Sequence, residues 1–182
     1  MGSPKDAYDD LMKFVPRAEK TEWHEKAIAE AGRADLHSAM DLLMATREMD
    51  RLADLVHQAS DQALEDLSHY ATEPVTRKLE KTRPDLAARL WRAQGLRIVD
   101  ARKSKYYDAA LSNFERAKRC FERAGLLVEW QRTVTRVRAD HHRKSGFIDG
   151  FERLVEGAGL STGPSFMEQA KARFRERHRR AR

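Results

Sequence analysis

A single cysteine, Cys120, occurs in 182 residues. One thiol excludes an internal disulfide and any zinc site built from several cysteines of this chain, and it fits a reducing compartment. Glycine and proline are also scarce, at 9 and 5 residues, which leaves little room for long irregular loops. No apolar run approaches the roughly 20 residues that cross a bilayer. The opening MGSPKDAYDD lacks the apolar stretch of a secretory leader. Alternation of polar and apolar residues between turn signals, the mark of strands, is missing as well. A soluble, cytoplasmic, membrane-free protein is the expectation.

Charge is abundant: 35% of residues are charged against 41% hydrophobic, which suits much exposed helix surface. The net charge of +6 hides an asymmetry. Residues 1–72 carry 8 Lys/Arg against 15 Asp/Glu, a net −7, whereas residues 73–182 carry 27 against 14, a net +13. An acidic half joined to a basic half implies an anionic partner, head-to-tail contact between copies, or two differently solvated surfaces.

Apolar residues recur every three or four positions along almost the whole chain, the spacing of one helix face. Ser3 and Pro4 open a first helix, whose stripe of Tyr8, Leu11, Met12 and Val15 stops at Pro16. Thr21 is the expected cap of a second helix carrying Trp23, Ala27, Ile28 and Ala31, with Gly32 closing it. Leu36, Ala39, Met40 and Leu43 mark a third, and Met49, Leu52, Ala53 and Val56 a fourth. Ser60 or Asp61 starts a fifth, and Thr72-Glu73-Pro74 restarts the chain for a short segment with Val75 and Leu79. Pro84 opens a long helix to about Lys103, apolar around its circumference and therefore sandwiched between neighbours. Helices over 105–124, ended by Gly125, and 126–144, stopped by Ser145-Gly146, follow; a shorter one carries Phe147, Ile148, Phe151 and Leu154. GAGLSTGP (157–164) is a linker, after which Ser165 caps a last helix that runs into RFRERHRRAR. Two regions are expected: a helical-hairpin array over 1–157, and a linker plus basic C-terminal helix over 158–182.

About nine helices with short connections make antiparallel neighbours, so the fold class expected is all-α: stacked antiparallel helical hairpins in a tetratricopeptide-like α-solenoid. Tyr107, Ala110, Phe114 and Ala117 reproduce the second-helix pattern of a tetratricopeptide repeat, in which small residues admit a close neighbour and aromatics fill the groove. Gln94 and Arg97 depart from the first-helix pattern, and no 34-residue period runs through the first half. Three phrases, LSHYATEP (67–74), ARLWRAQGLRIVDARKSKYYDAALSNFERAKRC (88–120) and EWQRTVTRVRADHHRKSGF (129–147), resemble the C-terminal helical region of bacterial SWIM-type zinc-finger proteins. That resemblance implies a helical accessory module. The family's zinc module, C-x-C followed by C-x-H, has no counterpart here, so no residue of this chain inherits its zinc binding.

Candidate sites follow from geometry. If the helices over 85–103 and 126–144 flank the antiparallel helix between them, their C-termini share one edge. That edge collects Arg102, Lys103, Lys105, Tyr106, His141, His142, Arg143 and Lys144. Cations with interleaved aromatic or imidazole groups suit phosphates or a nucleic-acid backbone, while basic residues in a last turn are also ordinary helix termination, and protein contacts are the third reading. The arginine-rich end adds Arg175, Arg177, Arg179 and Arg180 as a second candidate contact. His141 ends an apolar stripe and reads as packed, and His142 diverges from it by about 100°, so the two cannot readily share a metal. His24-Glu25 begins like a zinc-protease signature, but Ile28 stands where the second histidine belongs. His37/Asp41, His57/Asp61 and His69/Glu73 read as surface pairs one turn apart. Cys120 reads as a small core residue whose thiolate Arg119 would favour.

No nucleophile with a base, no glycine-rich phosphate loop and no cofactor signature appears. The expected function is a non-catalytic helical scaffold or adaptor that binds a protein partner; the alternative is a nucleic-acid-binding accessory using the basic edge and the arginine tail.

Overall fold

A computed structural model describes residues 4–157, which leaves the arginine-rich end, Ser165 and nearly all of the 157–164 linker outside the described residues. Among those described, ten α-helices and two 3-10 turns make up the regular structure, and there is no strand. The helices are α1 (Pro4–Phe14), α2 (Lys20–Ala34), α3 (Leu36–Thr46), α4 (Met49–Gln58), α5 (Asp61–Asp66), α6 (His69–Thr82), α7 (Pro84–Asp100), α8 (Tyr107–Arg123), α9 (Leu127–His141) and α10 (Ser145–Val155). The 3-10 turns are Arg17–Glu19 and Ser104–Tyr106.

Local chemistry sets most boundaries. Ser60 caps α5, its hydroxyl accepting from the Ala63 N–H at 3.1 Å, and Pro84 occupies the first turn of α7, where a missing N–H is harmless. Four boundaries differ from the sequence expectation. Thr21 lies inside α2, which starts at Lys20 after the 3-10 turn, with Glu19 at the N-cap. Gly32 lies inside α2; the break comes at Asp35, which is extended and whose carboxylate accepts from the Ser38 N–H at 2.7 Å, so one residue ends α2 and caps α3. Pro74 lies inside α6 instead of starting it. The helix begins at His69 and runs through the proline, with two hydroxyls bonding backwards, Thr72 to the Ser68 carbonyl (3.1 Å) and Thr76 to the Thr72 carbonyl (2.6 Å). Ser145 and Gly146 open α10, because Lys144 turns the chain immediately before them.

Helix α7 is the centre. Leu86, Leu90, Trp91, Leu96 and Val99 are buried around its circumference, and α4, α5, α6, α8 and α9 all touch it. It runs antiparallel to α8: the Arg116 guanidinium sits 4.6 Å over the Trp91 ring, and one turn on, Gly95 meets Phe114. A Cβ at position 95 would lie 3.0 Å from the Phe114 ring, so only glycine admits this approach without displacement. Ala110, Phe114 and Ala117 of the repeat-like pattern all face this interior. Beyond α8, α10 runs parallel to it, with Tyr107 against Phe147 (5.6 Å between ring centroids) and Phe114 edge-on to Phe151 (5.1 Å). A continuous apolar core extends from Met40 on α3 to Leu154 on α10. Helix α2 contributes no fully buried residue; Ile28 packs part-buried against the core, and polar ties add to its hold. Tyr8 Oη and His24 Nδ1 are 2.7 Å apart, His24 Nε2 and Glu48 Oε1 2.7 Å, and Arg51 bonds both Glu25 oxygens at 3.0 and 2.9 Å.

Candidate binding site

The C-termini of α7 and α9 meet at one edge, and the cations gathered there divide into two groups. Lys144 and His141 face inward. Lys144 Nζ donates to the Val99 carbonyl at 2.7 Å and lies 2.9 Å from His141 Nδ1, while His141 Nε2 lies 3.3 Å from Asp100 Oδ1. His141 is only 4% exposed, and burial, helped by the Lys144 charge, pushes its pKa below the usual histidine value despite Asp100. Burial likewise lowers the Lys144 ammonium, with Asp100 opposing. With its pKa lowered, His141 accepts from the Lys144 ammonium on Nδ1, while Asp100 lies near Nε2 as a charge neighbour. This pair terminates α7: its open carbonyl end receives the ammonium.

Arg102, Lys103, Lys105, Tyr106, His142 and Arg143 are all exposed. Arg102 holds a positive φ of 54°, a region that disfavours side chains other than glycine; Gly125 occupies the equivalent place at the α8–α9 corner. Lys105 Nζ lies 4.8 Å over the Tyr106 ring, a cation–π contact. His142 Nδ1 stays local, 3.1 Å from the Ala139 carbonyl. Arg175, Arg177, Arg179 and Arg180 lie outside the described residues.

Lys103 and Tyr106 also line a groove of about 590 Å³ between α6, α7 and α8. Ile98, Ala101 and Ala109 give it an apolar side, and Gln94 and Asn113 bring carboxamides. Across from Tyr106 stands the start of α6 with His69 and Tyr70, whose rings lie 3.9 Å apart. Tyr70 is 81% exposed and Tyr106 46%, so two large amphipathic rings stand in solvent around one depression. Sequence reasoning missed the α6 wall. Tyr70 sits in LSHYATEP, but nothing local in that phrase tells that its aromatic ring stays uncovered.

Elsewhere the charged groups are tied up inside the fold. Asp61 turns to Arg89 (2.9 Å) and Arg92 (2.5 Å) and Glu73 to Arg77 (2.7 Å), so neither pairs with the histidine one turn before it. Burial opposes ionisation of Asp61, but the two arginines hold its carboxyl below the usual range. Arg92 itself is buried; among the described residues its Nε has no hydrogen-bond partner, and its Nη2 lies close to the Asp61 carboxylate as an ion pair. Cys120 is buried, and that burial pushes its thiol up, outweighing Arg119 and Arg123; the thiolate is not favoured. No group of three or more His, Cys, Asp or Glu among the described residues is placed to hold a metal ion, and no helix among them is long and apolar enough to cross a membrane.

Neither the curated proteins nor the solved structures contain a match to this chain. A protein-family model does match, over residues 5–149, which spans α1 to the first turn of α10 and so takes in the whole groove. On that match the chain belongs to DUF6880, a family of unknown function.

Proposed function

We propose that this protein is a non-catalytic helical adaptor of the cytoplasm that binds a protein partner through the groove between α6, α7 and α8. One observation carries the reading: Tyr70 and Tyr106 stand exposed on opposite sides of a depression with an apolar wall. Aromatic side chains bury large areas at modest entropic cost and are enriched where partners dock. The tetratricopeptide-like reading attaches to α7 and α8, where small residues admit a close neighbour, and the resemblance to the helical region of SWIM-type zinc-finger proteins supports the same accessory role. A photo-crosslinking residue placed at Tyr70 or Tyr106 in living cells tests it. Discrete protein adducts are expected there and not from exposed Arg33 on α2. Equal labelling at all three positions, or none, overturns the reading.

A second reading, a nucleic-acid-binding accessory, is favoured by the exposed cations Arg102, Lys103, Lys105 and Arg143 at the α7–α8 and α9–α10 corners. It requires an affinity whose logarithm falls with log salt by about 0.9 per phosphate contact on a duplex. A flat salt response removes it.

A further inference from the structure

Resting on the adaptor reading, we infer that the groove between α6, α7 and α8 takes an extended acidic peptide segment. Its carboxylates would sit on Lys103 and Lys105, and an apolar side chain would sit against Ile98 between the two tyrosines.

The charges around the groove decide the class of partner. Glu73 is the acid that lines it, and that carboxylate is already matched by Arg77, whose Nη2 and Nε lie 2.7 and 2.9 Å away. Arg97 also lines it, but its guanidinium donates to the carbonyls of Glu65 and Asp66 at the end of α5. Lys103 and Lys105 remain, with Arg102 beside them. None of the three forms an ion pair among the described residues, and Lys105 makes only the ring contact to Tyr106. With Glu73 matched and Arg97 still charged though bonded to carbonyls, the balance around the groove is positive and selects an anionic partner. The arginine at a positive φ is consistent with this: the corner carries a cation where the next corner carries glycine.

The rest of the lining suits a peptide better than a nucleic acid. Asn113, half-buried, offers a carboxamide; Gln94 behind it is buried, its amide nitrogen donating to Thr76 Oγ1 at 3.2 Å. A carboxamide both donates and accepts, as a peptide group does. Ala101 and Ala109 are small and exposed, so a side chain has room to enter. A nucleic-acid backbone needs cations along its track, and here the free cations sit at one end only.

The test is selection of short random peptides displayed on phage against the immobilised full chain. Enriched sequences are expected to carry an excess of Asp and Glu around an aliphatic or aromatic residue. Two variants, both at exposed positions, probe the site by fluorescence anisotropy with a selected peptide: Lys103→Glu with Lys105→Glu removes the charge, and Ala109→Trp fills the groove. Each should weaken binding about ten-fold or more, the order expected for losing two partly shielded ion pairs, while circular dichroism stays unchanged. Neutral or basic selected sequences, no enrichment over an irrelevant bait, or indifference to both variants overturns the inference. So does an oligothymidine that displaces the peptide and binds more tightly, since the ligand is then nucleic acid. Protein adducts at Tyr70 together with non-acidic selected peptides would remove the acidic partner and leave the adaptor standing.

Discussion

Gly32→Ala and Gly95→Ala are the same change inside two helices, and their surroundings give them opposite signs. At position 32 an added Cβ meets nothing within 4 Å, so alanine gains its helix propensity, about 1 kcal/mol, and the melting temperature rises. Had Gly32 ended α2 with a positive φ, as its place in the sequence suggested, the same variant would lower it. At position 95 the Cβ meets the Phe114 ring at 3.0 Å, and that ring is fixed by Phe147 and Phe151. Crowding of this kind costs roughly 1–3 kcal/mol and outweighs the propensity gain, so the melting temperature falls. His141 supplies a pH dependence. Its folded pKa lies below the ordinary 6.5, so its contribution is complete above that value and is lost as pH falls through the folded value. Urea midpoints should drop between about pH 7 and 5, and drop less in His141→Gln. An identical slope in the two proteins would show that protonation at Nδ1 does not disturb Lys144.

Helix ends in this fold are closed from a distance. Arg89 donates to the carbonyls of Val56, His57 and Ala59 at the end of α4. Arg97 does the same for α5, Lys118 for the Leu154 carbonyl of α10, and Lys144 for α7. Each cation donates to carbonyls of a last turn, of which Val99 and Leu154 also accept a backbone N–H from Arg102 and Gly157, and meets the negative end of the helix dipole. Arg89→Met should therefore destabilise by about 2 kcal/mol and speed amide exchange in the last turn of α4 more than in α9. Uniform acceleration would argue against a local capping role. The helices themselves were legible, because spacing of three and four fixes a buried stripe whatever packs on it. The caps were not. Arg89 and Val56 are 33 residues apart, and no local pattern shows that an arginine will reach across such a gap. Pro74 misled for a related reason: proline usually opens a helix, but here packing on α7 keeps the chain helical through it. The groove divides the same way. Lys103 and Tyr106 could be placed at a corner from the sequence, whereas the Tyr70 wall exists only because α6 lies along α7.

At two places the contrast of an acidic front half and a basic rear half is internal complementarity. Asp61 receives Arg89 and Arg92, and buried Glu65 receives both Arg136 nitrogens at 2.7 and 2.8 Å. Arg136→Ala should cost about 2–3 kcal/mol by stranding the Glu65 carboxylate, whereas replacing the pair together by Glu65→Leu and Arg136→Met should come close to neutral. A double-mutant cycle by chemical denaturation reads the difference, and additive single effects would dismiss the coupling. One consequence reaches back to synthesis. Translation delivers α4 and α5 before the arginines that close them: Arg89 lies 33 residues beyond Val56 and Arg97 32 beyond Glu65, whereas Arg136 follows Glu65 by 71. Until α7 has been made, the ends of these two helices lack the donors that close them, while α1, α2 and α3 already have one another to pack on.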